Sequence, residues 1–305
     1  MERGTHEYAE DKRNENILIY VNGDIVPRND AKISVFDSGF LLGDGVWEGI
    51  RLHNGQLAFG REHFARLYEG AKAIDIDVGF SKEELESIVM KTVEANSMNS
   101  GVHIRLIVSR GLKKTPFQHP SANIGSSTIV IIPEYKTAGE KSKTEGIRLF
   151  TVHVRRSSPD TQDPKLNSLS KLNCIAACIQ ADKAGYDEAL MLGPDGFVST
   201  CNSTNFFTVR NGEIWTSTGK YCLNGVTRRN IIRICKENDI PVIEKDFSLT
   251  DVYSSEESFV TGTFAGVIPV VETDGRIIAD GKRGAITGRL QELYTELVER
   301  ECSAK

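Results

Sequence analysis

The fold is decided by residues 42–60, which have the sequence LGDGVWEGIRLHNGQLAFG. Apolar side chains lie on both sides of Asn54-Gly55, and an Asn-Gly pair between two such runs is the strongest short-range signal for a β-hairpin. The next residues, REHFARLYEGAKAIDI at 61–76, carry apolar side chains at helical spacing. The sequence therefore predicts a hairpin that leads into a helix.

The same kind of pattern extends on both sides of this unit. Before it, ILIYVNGDIV at 17–26 predicts another hairpin around Asn22-Gly23. After it, SKEELESIVMKTVEAN at 81–96 predicts a helix in which Ser81 is the N-cap and Glu84 follows three residues on, as in a capping box.

Further signals divide the chain into two domains. Two segments rich in β-branched residues, VHIRLIVSRG at 102–111 and STIVIIP at 127–133, predict strands and complete a small N-terminal α/β domain at residues 17–132. The polar, aperiodic segment PEYKTAGEKSKTEG at 133–146 predicts a linker. Residues 147–305 alternate between predicted strands and helices, so we expect a larger C-terminal domain and a two-domain fold of mixed α+β and α/β type. Cofactors commonly lie where two domains meet, so we expect a cofactor at the domain seam.

The composition excludes several classes of protein. With 39% hydrophobic and 26% charged residues in a chain of 305, it is typical of a soluble globular protein. A formal net charge of −5 without a basic tract argues against nucleic acid as a partner. The longest apolar run, at 129–133, is far too short to span a membrane, and the polar residues 1–16 predict no signal peptide. The six cysteines show no metal-binding spacing, and we expect a cytoplasmic protein without a metal site.

Three separated segments contain the groups that bind a phosphate dianion. They offer a guanidinium fork at Arg66, backbone N–H groups and a hydroxyl at Val226 and Thr227, and a further hydroxyl at Thr263. We predict that these residues form a cup for a phosphate group. The segments are EHFARL (62–67), LNGVTR (223–228) and TGTFAG (261–266).

In order and spacing these segments resemble the fold-type IV pyridoxal-phosphate enzymes, which include branched-chain and D-amino-acid aminotransferases and aminodeoxychorismate lyase. The resemblance covers roughly residues 17–300 and implies a two-domain fold-type IV structure, pyridoxal 5'-phosphate (PLP) as the cofactor, and a homodimer. It also rests on the phrases VNGDIVP (21–27), DAKISVFDSGFLLGDGVWEGIR (30–51), AGYDEALML (184–192) and NSTNFFTV (202–209).

The resemblance implies a role for each residue of the phosphate cup. Arg66 pairs with the cofactor phosphate, Val226 and Thr227 contribute from a helix N-terminus, and Thr263 closes the cup. Asn205, at the start of the phrase NFF, belongs to the same set of cofactor-binding residues.

Two positions of the family's chemical centre depart from its pattern. The lysine that binds the cofactor aldehyde is expected 21 residues before Glu188, where this chain has Asn167. The acid that pairs with the pyridine nitrogen is expected five residues before Asn205, where this chain has Thr200. An amide cannot form an imine with an aldehyde, so another amine must replace the lysine if the cofactor is used covalently.

Two lysines are candidates for that amine. If a helix has begun by residue 167, Lys171 shares the face of Asn167 about 5–6 Å away. Lys165 shares a strand face with Asn167 but lies roughly 6.6 Å back. We predict Lys171 as the Schiff-base lysine and Lys165 as the second candidate. If neither serves, the chain is a non-catalytic homologue that binds PLP.

Thr200 affects the electronics of the cofactor. A hydroxyl cannot hold an ion-paired proton on the pyridine nitrogen, so we expect a less protonated ring that withdraws electrons more weakly. This predicts a slow or specialised transaminase, or a reaction that needs less delocalisation into the ring.

Substrate contacts follow from the same resemblance. His103 and Arg105 occupy the strand positions of a Tyr-x-Arg pair in branched-chain enzymes, and the Arg105 fork suits a carboxylate. In the loop 109–120 the candidates for a carboxylate contact are Lys113, Lys114 and His119, and we expect that loop to be solvated. The predicted substrate-binding residues are Arg105, His103, Trp47, Phe264 and Ala265.

The sequence thus predicts a PLP-dependent, branched-chain-like aminotransferase that moves an amino group between a small amino acid and a 2-oxo acid. Two alternatives stay open: a PLP-dependent lyase resembling aminodeoxychorismate lyase, and a non-catalytic PLP-binding homologue. A transaminase needs a 2-oxo acid for turnover, whereas a lyase releases pyruvate or ammonia without one.

Overall fold

The structure is a computed structural model that describes residues 4–6 and 10–303. These residues form two compact units. The N-terminal unit contains residues 10–136, 166–171 and 299–303, and the C-terminal unit contains residues 4–6, 137–165 and 172–298. The polar N-terminal stretch 1–16 lies partly outside the described residues, as do the last two residues of the predicted C-terminal domain.

The N-terminal unit is built on a six-stranded antiparallel sheet with the strand order β2-β1-β8-β5-β3-β4. The strands of this sheet are β1 (Leu18–Val21), β2 (Asp24–Pro27), β3 (Gly45–His53), β4 (Gln56–Ala58), β5 (Val102–Ser109) and β8 (Thr128–Tyr135). The short strands β6 (Leu112–Lys113) and β7 (Asn123–Ile124) pair with each other. The helices are α1 (Ser38–Leu42), α2 (Gly60–Ala73) and α3 (Lys82–Ala95), with 3-10 turns at Lys12–Asn16, Arg28–Asp30 and Pro120–Ala122.

Both predicted hairpins and the predicted helix cap of this unit are confirmed. Asn22-Gly23 joins β1 to β2 and Asn54-Gly55 joins β3 to β4, and all four residues have the positive φ that a two-residue hairpin turn of this type requires. At the start of α3, Ser81 and Glu84 form the reciprocal bonds of a capping box. Apolar residues of α2, α3 and the sheet bury one another in a core that includes Phe64, Leu67, Leu85, Val89, Ile104 and Ile131.

The segment 133–146, predicted as a linker, is structured at both ends. Strand β8 continues to Tyr135 because residues 133–135 pair with β5. Helix α4 (Glu140–Glu145) follows, and the Gln291 side chain donates to the carbonyl of Lys143. The chain passes from one unit to the other between residues 136 and 137. It returns to the N-terminal unit at residues 166–171, which the continuous domain boundaries of the prediction did not allow for.

The C-terminal unit is built on a nine-stranded mixed sheet with the order β11-β10-β9-β16-β15-β12-β13-β14, and β17 pairs with β16. The strands are β9 (Ile147–Thr151), β10 (Glu188–Leu192), β11 (Val198–Cys201), β12 (Asn205–Arg210), β13 (Glu213–Thr216), β14 (Val242–Glu244), β15 (Glu257–Gly262), β16 (Gly266–Thr273) and β17 (Arg276–Ile277). The helices after α4 are α5 (Leu172–Lys183), α6 (Val226–Glu237), α7 (Leu249–Tyr253) and α8 (Ala285–Glu301).

The central strands of this sheet are buried on both faces, which explains their nearly continuous apolar sequences. Phe206, Val260 and Ile268 pack into the same core, and the rings of Phe207 and Phe259 stack with centroids 4.9 Å apart. Across residues 4–6 and 10–303, every helix is too short or too polar to cross a lipid bilayer.

Candidate active site

The segment 167–169 lies along the edge of β3 in the N-terminal unit. The Trp47 N–H donates to the Asn167 carbonyl at 3.0 Å, and the Leu169 N–H donates to the Gly45 carbonyl at 2.9 Å. Gly45 permits this approach, because a Cβ at that position would lie 2.6 Å from Cδ1 of Leu169 and 2.5 Å from the Val108 carbonyl oxygen. The position expected to carry the Schiff-base lysine is therefore fixed against β3.

The Asn167 side chain is held by two hydrogen bonds. Its Nδ2 donates to the Trp47 carbonyl at 2.6 Å, and its Oδ1 accepts from Lys171 Nζ at 3.1 Å. A carbonyl can only accept and an ammonium can only donate, so both partners require the same orientation of the amide. Asn167 itself is buried, with 6% of its surface exposed.

The two candidate lysines have different environments. Lys171 is half-buried, and its Nζ reaches the side chain of Asn167. Helix α5 begins only at Leu172, so the helical spacing used to predict this contact is wrong, although the predicted reach is present. Lys165 is exposed and belongs to the C-terminal unit, where its backbone N–H donates to Asp163.

Two cationic side chains lie over the indole ring of Trp47. The guanidinium carbon of Arg105 lies 3.7 Å from the ring centroid, and Lys171 Nζ lies 5.4 Å from it. The indole nitrogen donates to the Ser168 carbonyl at 3.1 Å, which fixes the ring. Among the described residues, the Arg105 guanidinium has neither a hydrogen-bond acceptor nor a carboxylate within ion-pair distance. Burial lowers the pKa of Arg105, although the charges of Glu134 and Glu48 act in the opposite direction.

His103 lies two residues before Arg105 on β5, so the two side chains share a face of the sheet. Its ring packs over Gly49, where an added Cβ would lie 3.0 Å from the imidazole. The structure thus brings together three of the predicted substrate-binding residues, Trp47, His103 and Arg105, on β3 and β5.

On the opposite face of β3, Arg66 has a carboxylate partner that the sequence did not suggest. Its Nε and Nη2 each donate to Glu48 at 2.7 Å, and His63 Nδ1 contacts the same carboxylate at 2.7 Å. The side chains of Glu48 and His63 are almost completely buried. Nε and Nη2 of Arg66 are therefore bound to Glu48, and the predicted pairing of Arg66 with a phosphate stays a prediction.

The charges of this network follow from its burial. Burial alone would raise the pKa of Glu48, but the charge of Arg66 and the hydrogen bonds from His63 and Arg66 outweigh it and lower the pKa. Burial lowers the pKa of His63, although Glu48 acts in the opposite direction. The network thus favours the ionised form of Glu48 and the neutral form of His63.

The loop 109–120 is only partly solvated, because Ser109, Gly111 and Lys113 are buried. Lys113 is 2% exposed, and its Nζ donates to Asn123 Oδ1 at 2.8 Å. The pairing of β6 with β7 brings these two residues together. Lys114 and His119 are exposed, as expected of a solvated loop.

In the C-terminal unit, helix α6 has a buried N-terminus without a side-chain cap. It begins at Val226, and both Val226 and Thr227 are 2% exposed. The N–H groups of these two residues have no acceptor within residues 4–6 and 10–303. A buried helix start with unsatisfied N–H groups is a binding site for an anion, and the helix dipole adds to the attraction.

Asn205 fixes this helix start to the sheet. Its Nδ2 donates to the Leu223 carbonyl at 3.0 Å, and a Cβ added at Gly225 would lie 2.2 Å from its Oδ1. Asn205 also pairs with Thr261 across β12 and β15, and Thr263 lies in the turn that follows β15. The predicted phosphate-binding residues of this unit are thus anchored on elements that pack together.

Thr200 donates its hydroxyl proton to the Thr204 carbonyl at 2.7 Å and is buried. A hydroxyl that donates there has only its lone pairs left for another partner. Nearby, Glu188 accepts hydrogen bonds from Thr5, Ser203 and Thr204, so this buried carboxylate is occupied by hydroxyl and backbone donors.

The remaining predicted substrate residues lie in the turn between β15 and β16. Phe264 is buried, and the ring of His6 stacks on it with centroids 6.1 Å apart. Ala265 packs against the core of the C-terminal unit.

Two ends of PLP can be compared with these residues. A phosphate would supply the acceptor that the N–H groups of Val226 and Thr227 lack within the described part of the chain, so the start of α6 is compatible with the phosphate end. Position 167 offers no amine for the aldehyde end, but Lys171 Nζ is within hydrogen-bond distance of that side chain. Each group of residues, taken by itself, is compatible with the end of PLP with which it is compared.

Sequence reasoning missed Glu48 and His63, although a signal was available. Val46, Glu48, Ile50 and Leu52 alternate along β3 on its buried face, so a glutamate stands at a core position. His63 lies at helical spacing with the buried Phe64 and Leu67 on α2. A charged residue on a core face predicts a buried partner of opposite charge.

Comparisons with known proteins show the family to which the chain is related. A family profile described as amino-transferase class IV matches residues 45–273. A putative branched-chain-amino-acid aminotransferase from Methanocaldococcus jannaschii is 40% identical over 280 residues, which cover 92% of this chain and 96% of that protein. A D-alanine aminotransferase from Listeria monocytogenes is 33% identical over 293 residues, which cover 93% of this chain and 97% of that protein.

A solved structure has the same fold. The branched-chain amino acid aminotransferase of Thermoproteus uzoniensis, determined with norvaline, aligns with a TM-score of 0.84 at 30% identity and covers 94% of this chain and 96% of that one. The predicted fold-type IV architecture is confirmed. Because the profile and the relatives span most of its length, the chain belongs to the class IV aminotransferase family.

Proposed function

We propose that the chain is an aminotransferase that binds PLP and moves an amino group between a small amino acid and a 2-oxo acid. Its membership in the class IV family supports this reaction. The relatives named as branched-chain and D-alanine aminotransferases indicate the class of amino acid to test first.

The observation that carries the proposal is the buried, uncapped start of α6. Val226 and Thr227 are 2% exposed, and their N–H groups find no acceptor among the residues that the structure describes. Asn205 holds that helix start rigidly, which favours a bound anion because little order is lost on binding. We assign the PLP phosphate to Val226, Thr227 and Thr263, with Arg66 as a further cationic contact held by Glu48.

Arg105 is assigned to the carboxylate of the amino acid. It is a largely buried cation, stacked on Trp47, without an acceptor in the described part of the chain. A carboxylate that binds the planar fork supplies both charge and two acceptors. His103 shares the face of Arg105, and Phe264 and Ala265 are assigned to substrate contacts by resemblance.

Lys171 is assigned as the amine that replaces the missing lysine. PLP, when bound, supplies an aldehyde and a ring that withdraws electrons from the reacting carbon. Lys171 Nζ lies at the side chain of position 167, whereas Lys165 is exposed and remains the second candidate. The amine of Lys171 would also move the proton of the substrate, as a general base close to the reacting carbon.

A lyase of the same fold is the second candidate function, and Thr200 favours it. Its hydroxyl donates to the Thr204 carbonyl, so it offers the pyridine nitrogen a lone pair and no negative charge. A weaker electron sink slows reactions through a carbanion, each ~1.4 kcal/mol of barrier being a factor of ten in rate. If Lys171 does not react, the chain would be a non-catalytic homologue that binds PLP.

We also propose a homodimer in the cytoplasm. Leu172, Ile175 and Ile179 lie along one face of α5 and are 77%, 51% and 49% exposed. Such an apolar helix face is typical of a surface covered by another subunit, and we assign it to a second copy. Changing Ile175→Glu should therefore shift the sedimentation of the protein toward the monomer. All six cysteines are free thiols, which suits a reducing compartment.

An assay of the purified chain with PLP tests the function directly. Branched-chain amino acids and D-alanine are offered separately, with and without 2-oxoglutarate, and the 2-oxo and amino products are measured. The proposal requires turnover that depends on both partners. Release of pyruvate or ammonia without the 2-oxo acid identifies the lyase, and PLP binding without turnover for any donor identifies the non-catalytic homologue.

A further inference from the structure

We propose that Asn167 is a positioning residue that holds the Lys171 amine at the place of the missing lysine. This inference rests on the proposed function, because it concerns the amine that meets the PLP aldehyde. Asn167 and Lys171, four residues apart, would then together replace the single Schiff-base lysine of the family pattern.

The first step concerns the backbone around Lys171. Gly43 has a φ of 68°, and a Cβ there would lie 3.0 Å from Ser170 Oγ and 3.3 Å from its Cα. The backbone just before Lys171 is therefore packed against the turn after α1, and helix α5 begins just after Lys171. This packing fixes the position of the Lys171 backbone, from which the side chain extends.

The second step concerns the amide of Asn167. Its backbone carbonyl accepts from the Trp47 N–H, and its Nδ2 donates to the Trp47 carbonyl, so main chain and side chain are both clamped to one residue. With Nδ2 fixed, Oδ1 must face away from Trp47 O, and it meets Lys171 Nζ at 3.1 Å. The amide cannot rotate to avoid Lys171 without breaking the bond to Trp47.

The third step concerns charge. An amide oxygen orients the amine without adding a negative charge, which would favour the unreactive ammonium form. Arg105 stacks on the same Trp47 ring, so a second cation lies on the ring that Lys171 Nζ approaches. Glu48 faces the other side of β3, where it is bound to Arg66 and His63.

The reaction that this arrangement prepares is the condensation of an amine with an aldehyde. PLP would supply the aldehyde, and Lys171 Nζ would supply the lone pair for the C=N bond and give up two protons, which would leave with the aldehyde oxygen as water. Asn167 Oδ1 takes no part in the bond changes; it fixes the direction of the nitrogen.

The test uses the full chain with PLP, borohydride reduction and peptide mapping by mass spectrometry, with reduction rates measured across pH. Wild type and Lys165→Met should carry the reduced label on Lys171, and Lys171→Met should carry none. Asn167→Ala should label about five- to tenfold more slowly, as expected for the loss of one orienting hydrogen bond. Asn167→Asp keeps an acceptor oxygen but adds a charge, so its labelling midpoint should move upward by about one pH unit or more.

The two variants at position 167 separate positioning from a purely structural role. Both lose the Nδ2 bond to Trp47 but only Asn167→Asp keeps an acceptor oxygen, so a residue that only clamps β3 would give both variants the same labelling rate at a pH above their midpoints, and that result would overturn the inference. Asn167→Lys gives a second check, because the label should move from Lys171 to position 167. Thermal unfolding of each variant confirms that it is folded.

The outcome also distinguishes the inference from the function on which it rests. If PLP binds, as judged by an absorbance change that pyridoxal without phosphate does not reproduce, but Lys171 is never labelled, the inference fails and the function must rest on another residue. If PLP does not bind at all, both fail.

Discussion

The guanidinium of Arg66 donates two hydrogen bonds of 2.7 Å, from Nε and Nη2, to the two carboxylate oxygens of Glu48. The Glu48 side chain is fully buried and the Arg66 side chain is 11% exposed. A parallel pair of bonds of this kind fixes both position and orientation of the fork. Arg66 is therefore part of an ion pair, and its direction is set by a residue of β3.

Removing the charge of Glu48 should destabilise the fold. Glu48→Gln removes the carboxylate charge that pairs with Arg66, and breaking a buried pair costs about 3–5 kcal/mol. The free energy of unfolding from urea titration measures this loss. Glu299→Gln is the control, because its pair with His53 is solvent-exposed and should contribute less than about 1 kcal/mol. Equal losses in the two variants would contradict the assignment of Glu48 to a buried network.

His63 should make stability depend on pH. Its pKa is lowered in the folded state by burial, so below its unfolded pKa, about 6.5, the unfolded chain binds a proton that the folded chain does not. Stability should fall by up to about 1.4 kcal/mol per pH unit as the pH drops below that value, until the folded pKa is reached. His63→Asn should remove this part of the slope, whereas His53→Asn on the surface should retain it. If the dependence of stability on pH persists in His63→Asn, a group other than His63 causes it.

Protonation of Glu48 should cause a second loss of stability at lower pH. Its folded pKa is lowered, so its contribution is complete above the unfolded pKa of about 4.3 and is lost as pH falls through the folded pKa. Unfolding curves between pH 5 and about 2 should therefore differ between wild type and Glu48→Gln, with the difference shrinking toward low pH. A difference that is independent of pH would mean that the carboxylate charge is not what stabilises the network.

Gly225 and Asn205 should show coupled effects. A Cβ at Gly225 would meet Asn205 Oδ1 at 2.2 Å, while its next contacts include Arg228 Cβ at an ordinary 3.4 Å. Gly225→Ala alone should therefore cost about 1–3 kcal/mol through overpacking and weaken PLP binding. In an Asn205→Ala background the same change should cost much less, and a double-mutant cycle of unfolding free energies measures the difference. If the costs of the two substitutions are additive, the clash caused by Gly225→Ala does not involve Asn205.

Substitution of Arg105 should weaken substrate binding without weakening cofactor binding. Arg105→Lys keeps a positive charge but loses the fork and the stacking on Trp47, so KM for the amino acid should rise about tenfold or more. The dissociation constant for PLP should remain within a factor of two or so, since the phosphate is assigned to other residues. Arg61→Lys on the exposed side of α2 is the control and should change neither value. A loss of PLP affinity in Arg105→Lys would contradict the division of roles.

Local signals were sufficient for much of the fold. The hairpins at Asn22-Gly23 and Asn54-Gly55 and the capping box of Ser81 and Glu84 depend on neighbouring residues, so the sequence predicts them directly. The class IV aminotransferase assignment, which depends on several phrases in order, is confirmed by the family match.

Contacts between distant segments could not be predicted in the same way. The return of residues 166–171 to β3 depends on glycines at positions 43 and 45, more than 120 residues earlier in the chain. The contact between Lys171 and Asn167 exists without the helix from which it was predicted, because the backbone before it is held by that packing. The roles of the predicted cofactor and substrate residues remain predictions, since they concern molecules outside the chain.

The central claim is that this chain binds PLP through its phosphate group, and an absorbance titration with PLP and with pyridoxal measures it most directly. The account predicts saturable binding of PLP at least about tenfold tighter than that of pyridoxal, a preference that Thr227→Val weakens. Equal affinity for the two compounds, or no binding of either, would contradict it.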